Sequence, residues 1–164
     1  MNRGFGMGIL ALSAVFFLAP AQAGESVAVS DAWVRATVKG QMATGAFMNL
    51  TADADAVLIG AQSPVAGVAQ VHEMKMENGV MKMAELKPGL PLPAGKTVAL
   101  KPGGYHVMLM DLKQPLTKDS TVPVTLRFKD AKGTEFSTEV KMPVRLAPPA
   151  GSAPAHDHGA HPKH

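Results

Sequence analysis

Between residues 27 and 144 the sequence is cut into ten short β-rich runs: 27–29, 32–36, 44–51, 56–61, 69–76, 80–86, 97–100, 105–112, 122–129 and 135–144. Turn signals separate them, at Asn78-Gly79, Pro88-Gly89, Ala94-Gly95, Pro102-Gly103-Gly104 and Lys132-Gly133. None of the runs carries a helical period. Many short strands at such spacing specify an all-β sandwich or barrel, because each strand can bury only one face and must find a second sheet to cover it. No internal repeat is present. At 164 residues the chain suits one such domain with tails.

The two ends do not read as part of the fold. Met1-Asn2-Arg3 is a short basic start, and residues 5–18 form an apolar run shorter than the ~20 residues a membrane-spanning helix needs. Pro20 and the small-x-small set Ala21-Gln22-Ala23 follow. This is the pattern of a secretory signal peptide, residues 1–23, with cleavage after Ala23. The mature chain then begins at Gly24, and with no Cys after the run no lipid anchor is expected. At the other end, residues 147–164 are rich in Pro, Ala and Gly and hold four of the six histidines: His156, His158, His161 and His164. Such a segment cannot build a core and is expected to be a disordered tail. The folded domain is therefore expected over 24–146.

Composition removes several chemistries. The chain has no cysteine, which excludes disulfides, zinc-thiolate and iron–sulfur sites, thiol nucleophiles and the blue-copper centre. A formal charge of +3 is too small and dispersed for nucleic acid. Aromatics are only 5% of residues, whereas methionine occurs 11 times.

Six of those methionines fall in two segments, which also hold the two histidines outside the tail. In the first, Asn78-Gly79 sits between alternating runs and is a strong hairpin signal. With these two residues as the loop, Glu77 faces Val80, Met76 faces Met81, Met74 faces Met83 and His72 faces Glu85. His72 then lies diagonal to Met83, within reach of long side chains. In the second, a strand over 105–112 puts His106, Met108 and Met110 on one face. Taken singly, each stripe reads as core filler, with its histidine a hydrogen-bonded core residue. Taken together, two histidines each alternating with methionines favour a soft-metal site. Thioether and imidazole both suit Cu(I), and thioethers bind without losing a proton.

The spaced set resembles the PCuAC-type periplasmic copper chaperones. That family's hallmark is a His, about ten residues, a Met, about twenty-one residues, then His-x-Met. Here ten residues separate His72 from Met83, and twenty-two separate Met83 from His106-Val107-Met108. The extra residue falls in the Pro/Gly-rich stretch 87–104. Ser30-Asp31-Ala32-Trp33-Val34-Arg35, Thr44-Gly45-Ala46-Phe47 and Lys101-Pro102-Gly103-Gly104-Tyr105-His106 extend the similarity.

The resemblance implies a cupredoxin-like Greek-key β-sandwich and Cu(I) ligands at His72, Met83, His106 and Met108. Met74, Met76, Met81 and Met110 are then neighbours or reserve ligands, and the hairpin register leaves Met74 open as a replacement for Met83. It further implies a periplasmic carrier, monomeric and not inserted in the membrane. Its copper would pass to an acceptor such as the CuA site of cytochrome c oxidase subunit II or a Sco-type assembly factor. The tail histidines offer nitrogen ligands for Cu(II). Two other classes stay in view. One is a secreted interaction module with a Met-rich core; the other is a copper-buffering or resistance protein. A copper monooxygenase is disfavoured because Gly24 cannot supply an amino-terminal histidine ligand, and no carboxylate pair or Ser-His-Asp set suggests other catalysis.

Overall fold

A computed structural model describes residues 26–150. The expected signal peptide and the histidines of the expected tail lie outside these residues. Ten strands run in chain order: β1 (Val27–Arg35), β2 (Ala43–Ala52), β3 (Ala56–Gln62), β4 (Ala66–Glu77), β5 (Val80–Glu85), β6 (Leu90–Leu92), β7 (Thr97–Leu100), β8 (His106–Leu112), β9 (Thr121–Asp130) and β10 (Glu135–Arg145). They hydrogen-bond in the order β5-β4-β8-β2-β1-β10-β9-β3-β6, with β7 also on β2. The β1–β10 pair is parallel and the other pairs are antiparallel. The all-β expectation holds.

Folded over on itself, this ribbon encloses one core. Leu50, Leu58, Leu92, Val107, Leu109, Val124, Leu126, Phe128 and Met142 are fully buried there. Alternation puts Val71 of β4 and Val107 and Leu109 of β8 into the core. Strand periodicity then sends Gln70, His72 and Met74 of β4, and His106, Met108 and Met110 of β8, to the opposite face. β5 adds no residue to the core; each of its six residues is exposed.

The structure differs from the sequence reading at three places. The runs 27–29 and 32–36 are one strand, because a bulge between Ser30 and Trp33 absorbs the break, with Asp31 at φ 51°. β6 is an added short strand, masked in the sequence by the prolines on and beside it. β4 begins at Ala66, three residues before the expected start, where Gly67 and Val68 blur the alternation.

Candidate metal centre

The hairpin forms as its turn dictates. Asn78 and Gly79 have φ of 52° and 77°, the two positive values a type I′ loop requires. The β4–β5 ladder pairs His72 with Glu85, Met74 with Met83 and Met76 with Met81. On the other side of β4, His72 pairs directly with His106, and Gln70 with Met108. Three strands thus bring the two Met/His segments onto one outer face.

Their methionines are not core filler. Among the nine methionines of the described residues, Met48 and Met142 belong to the core, whereas Met74, Met76, Met81, Met83, Met108 and Met110 do not. The histidines are nevertheless sheltered, at 8% exposure for His72 and 6% for His106, while Met83 is 49% exposed.

His106 is held in one tautomer. Its Nδ1 lies 3.2 Å from the Gly104 carbonyl, a contact in which the ring N–H donates. The same carbonyl accepts the Met74 backbone N–H at 3.2 Å, tying β4 to the turn before β8. Nε2 is thereby left bare and sits 3.3 Å from the Met83 sulfur. Two donors on one first-row ion, at about 2.0–2.3 Å and tetrahedral angles, lie roughly 3.5 Å apart. The pair already has that spacing.

His72 is the mirror case. Its Nε2 is 3.1 Å from Gln70 Oε1, and its Nδ1 is buried with no hydrogen-bond partner. With Nε2–H donating to Gln70, Nδ1 is an unprotonated acceptor aimed at nothing in the protein. The two imidazole centroids are 5.8 Å apart. Burial, aided by the neighbouring His106 and opposed by Glu85, holds the His72 pKa below the ordinary histidine value. The ring is therefore kept neutral, the form that binds a metal.

Beside His106 lies a hollow of about 290 Å³, lined among others by Met74, Met83, Met108, Gly45, Phe47 and Arg35. At its floor the absent side chain of Gly45 leaves room for the Phe47 ring, which a Cβ there would meet at 2.6 Å. Phe47 in turn packs between Trp33, at 4.8 Å between centroids, and His106, at 6.2 Å. Both aromatics are buried outside the main core and form a rigid wall for the site.

Met83, His106 and Met108 of the expected set line the hollow together with Met74, whereas His72 does not line it and adjoins it through its cross-strand pair with His106. Sequence reasoning did not assign roles to Gln70, Gly104 or Gly45, which orient the rings and shape the floor. Gly45 and Gly104 lie in stretches quoted for the resemblance, but only the three-dimensional contacts give them a task. Among the described residues no cluster of three or more His, Asp or Glu could hold an ion.

Known proteins agree with the architecture. Residues 27–144 match the family model "Putative lipoprotein LpqE-like". A relative from Leifsonia xyli subsp. xyli, "Putative lipoprotein Lxx21020", is 40% identical over 122 residues, which is 74% of each chain. The solution structure of CuI-DR1885 from Deinococcus radiodurans is 33% identical, with a TM-score of 0.51 over 77% of this chain and 85% of that one. Its apo form is 31% identical, with a TM-score of 0.52 over 87% and 98%. The copper-bound PCuAC domain from PmoF2, 23% identical, shares the fold with a TM-score of 0.54 over 74% and 98%.

Proposed function

The chain belongs to the LpqE-like family, which is the PCuAC-type family, and from that premise we propose that it is a copper carrier binding Cu(I) through His72, Met83, His106 and Met108. A copper-chaperone kind of role is what the family supports; the ligand set is our reading. The observation that carries it is the bare His106 Nε2 beside the Met83 sulfur; the His72 ring, 5.8 Å from that of His106 between centroids, adds a buried Nδ1 without a partner. Met108 follows on the same face and lines the same hollow. Met74, which pairs with Met83, is the reserve ligand.

This donor set is neutral, so the bound ion keeps its single positive charge. Neutral imidazole and thioether donors hold a soft monovalent ion without the charge neutralisation that thiolates give. The ion can therefore pass to a thiolate-rich acceptor. The exposure of Met83 lets an incoming ligand attach before the chaperone's own ligands leave. The acceptor is a copper-accepting protein, such as the CuA site of cytochrome c oxidase or a Sco-type assembly factor. The lipoprotein descriptions of the family and its relative support a secreted or envelope setting, in our reading the periplasm. The protein acts as a carrier rather than a catalyst.

X-ray absorption on the Cu(I)-loaded chain tests the assignment. Mixed nitrogen and sulfur scattering is expected, and a spectrum with no sulfur shell would overturn it. The reading as an interaction module with a Met-rich core is disfavoured by the six methionines that lie outside the core.

A further inference from the structure

The hollow also carries a cation at its rim. Arg35 is exposed, and its guanidinium carbon lies 5.6 Å from the Phe47 ring centroid and 6.0 Å from that of Trp33. Stacking fixes it at the rim. On the adjacent parallel strand, Arg145 stands in register with it and is also exposed. Neither has an ion-pair partner among the described residues. Like charges side by side across a ladder are unfavourable unless an anion joins them.

Two lysines add to this edge of the hollow, while the carboxylates nearby lie on the hairpin, where Glu85 opposes His72 and Glu73 and Glu77 are paired with Lys75 and Lys82. Lys39 lies in the turn leading to Gln41, which lines the hollow, and Lys101 opens the turn whose Pro102 and Gly103 line it. Exposed apolar side chains lie on the same turns and strands: Val38 and Met42 around the turn of Lys39, Met76, Met81 and Met83 on the hairpin, of which Met83 lines the hollow, and Tyr105 beside His106. None of the exposed large apolar side chains lies on β3, β6, β9 or β10. On β9, Arg127 and Lys129 are instead satisfied by Glu135. An apolar patch with a charged rim on one face is the composition of a protein-docking surface.

We propose that this face docks the copper-accepting protein through acidic side chains of the acceptor, with Arg35 and Arg145 as the anchoring cations. The identity of the partner rests on the carrier reading; the sign of its charge rests on the rim itself. A guanidinium takes a carboxylate with two parallel hydrogen bonds, and one already held by stacking loses little freedom in doing so. Docking there sets the acceptor over Met83, and complementary charge accelerates the encounter.

The test uses the metal-free full chain and a short labelled peptide carrying a Met-x-x-Met pair flanked by glutamates, with glutamine- and lysine-flanked versions. The glutamate peptide is expected to bind, and to weaken about tenfold between low and near-physiological salt. Arg35→Gln combined with Arg145→Gln should weaken it about tenfold again. Arg145→Gln alone, which leaves the aromatic stack untouched, should weaken it several-fold. Equal binding of the three peptides, or indifference to these variants, overturns the proposal. So does displacement of the peptide by micromolar inorganic phosphate, which would mark a small-anion site. Cu(I) loading of the same samples is read separately. A chain that binds the glutamate peptide and takes up no Cu(I) would overturn the carrier reading and leave the acidic docking surface standing.

Discussion

His72 and His106 differ in which nitrogen they keep free, and that difference shapes what single substitutions should do. His106→Ala removes the bare Nε2 and the wall contact with Phe47 together; His72→Ala removes the orphaned Nδ1. Both should lower Cu(I) affinity more than loss of one thioether, imidazole being the stronger donor. Met83→Leu and Met108→Leu keep the apolar volume, so stability should change by under about 1.5 kcal/mol while Cu(I) affinity falls. Competition against a Cu(I) chelator, alongside denaturant unfolding, reads both quantities. Strong loss in Met74→Leu with little in Met83→Leu would put Met74 in the site. The pKa of His72 adds a pH dependence. Its folded value lies below its unfolded value of about 6.5, so the unfolded chain binds more protons as pH drops through that region. His72 therefore subtracts stability from the metal-free protein on acidification, starting near pH 6.5 and levelling off below its folded pKa. Unfolding midpoints at pH 7.5 and 5.5 should show this fall, and His72→Gln should reduce it. Cu(I) affinity should also weaken toward pH 5 as protons compete for the imidazoles. A flat affinity profile would mean that the histidines are not ligands.

Within single strands, alternation assigns neighbouring residues to different tasks. In β8, Val107 and Leu109 face the core while His106 and Met108 face the hollow. Leu109→Ala should cost about 2–5 kcal/mol of stability, well above the effect of Met108→Leu one position away. The turn of the hairpin is equally specific: at φ 77°, Gly79→Val should cost about 1–2 kcal/mol and weaken Cu(I) binding, because register carries Met83 to His106. This pairing was legible in full, since Asn-Gly loop chemistry and period-two alternation together fix which residues oppose each other. β6 was not legible: Leu90-Pro91-Leu92 is too short and too proline-marked to signal a strand, and only its seat against β3 makes it one. The tasks of Gln70 and Gly104 were not legible for a related reason. Their roles come from a side-chain amide and a carbonyl aimed at imidazoles, and direction is not written in spacing.

Among the described residues the two Met/His segments share one outer face, while β3, β6, β9 and β10 carry no histidine and no methionine outside the core. The architecture followed from the rhythm of runs and turns; the placement of both histidines in one direct cross-strand pair needed the β4–β8 ladder, which no local signal announces. Deleting residues 151–164 should remove Cu(II) binding and leave Cu(I) binding near that of the full chain, which isothermal titration with each ion would show; unchanged Cu(II) stoichiometry would sink the tail's role. The exposure of β5 has a further consequence. A strand with no residue in the core is held by its ladder to β4 and by the contact of Met83 with His106, so it is expected to detach before the remaining nine unfold. Its amides should exchange with deuterium long before those of β8 or β9. An ion joining Met83 to His106 would bolt that strand to the body, so Cu(I) should slow exchange along β5 selectively. On the carrier reading, peeling of this single edge is the motion expected to let the cargo go.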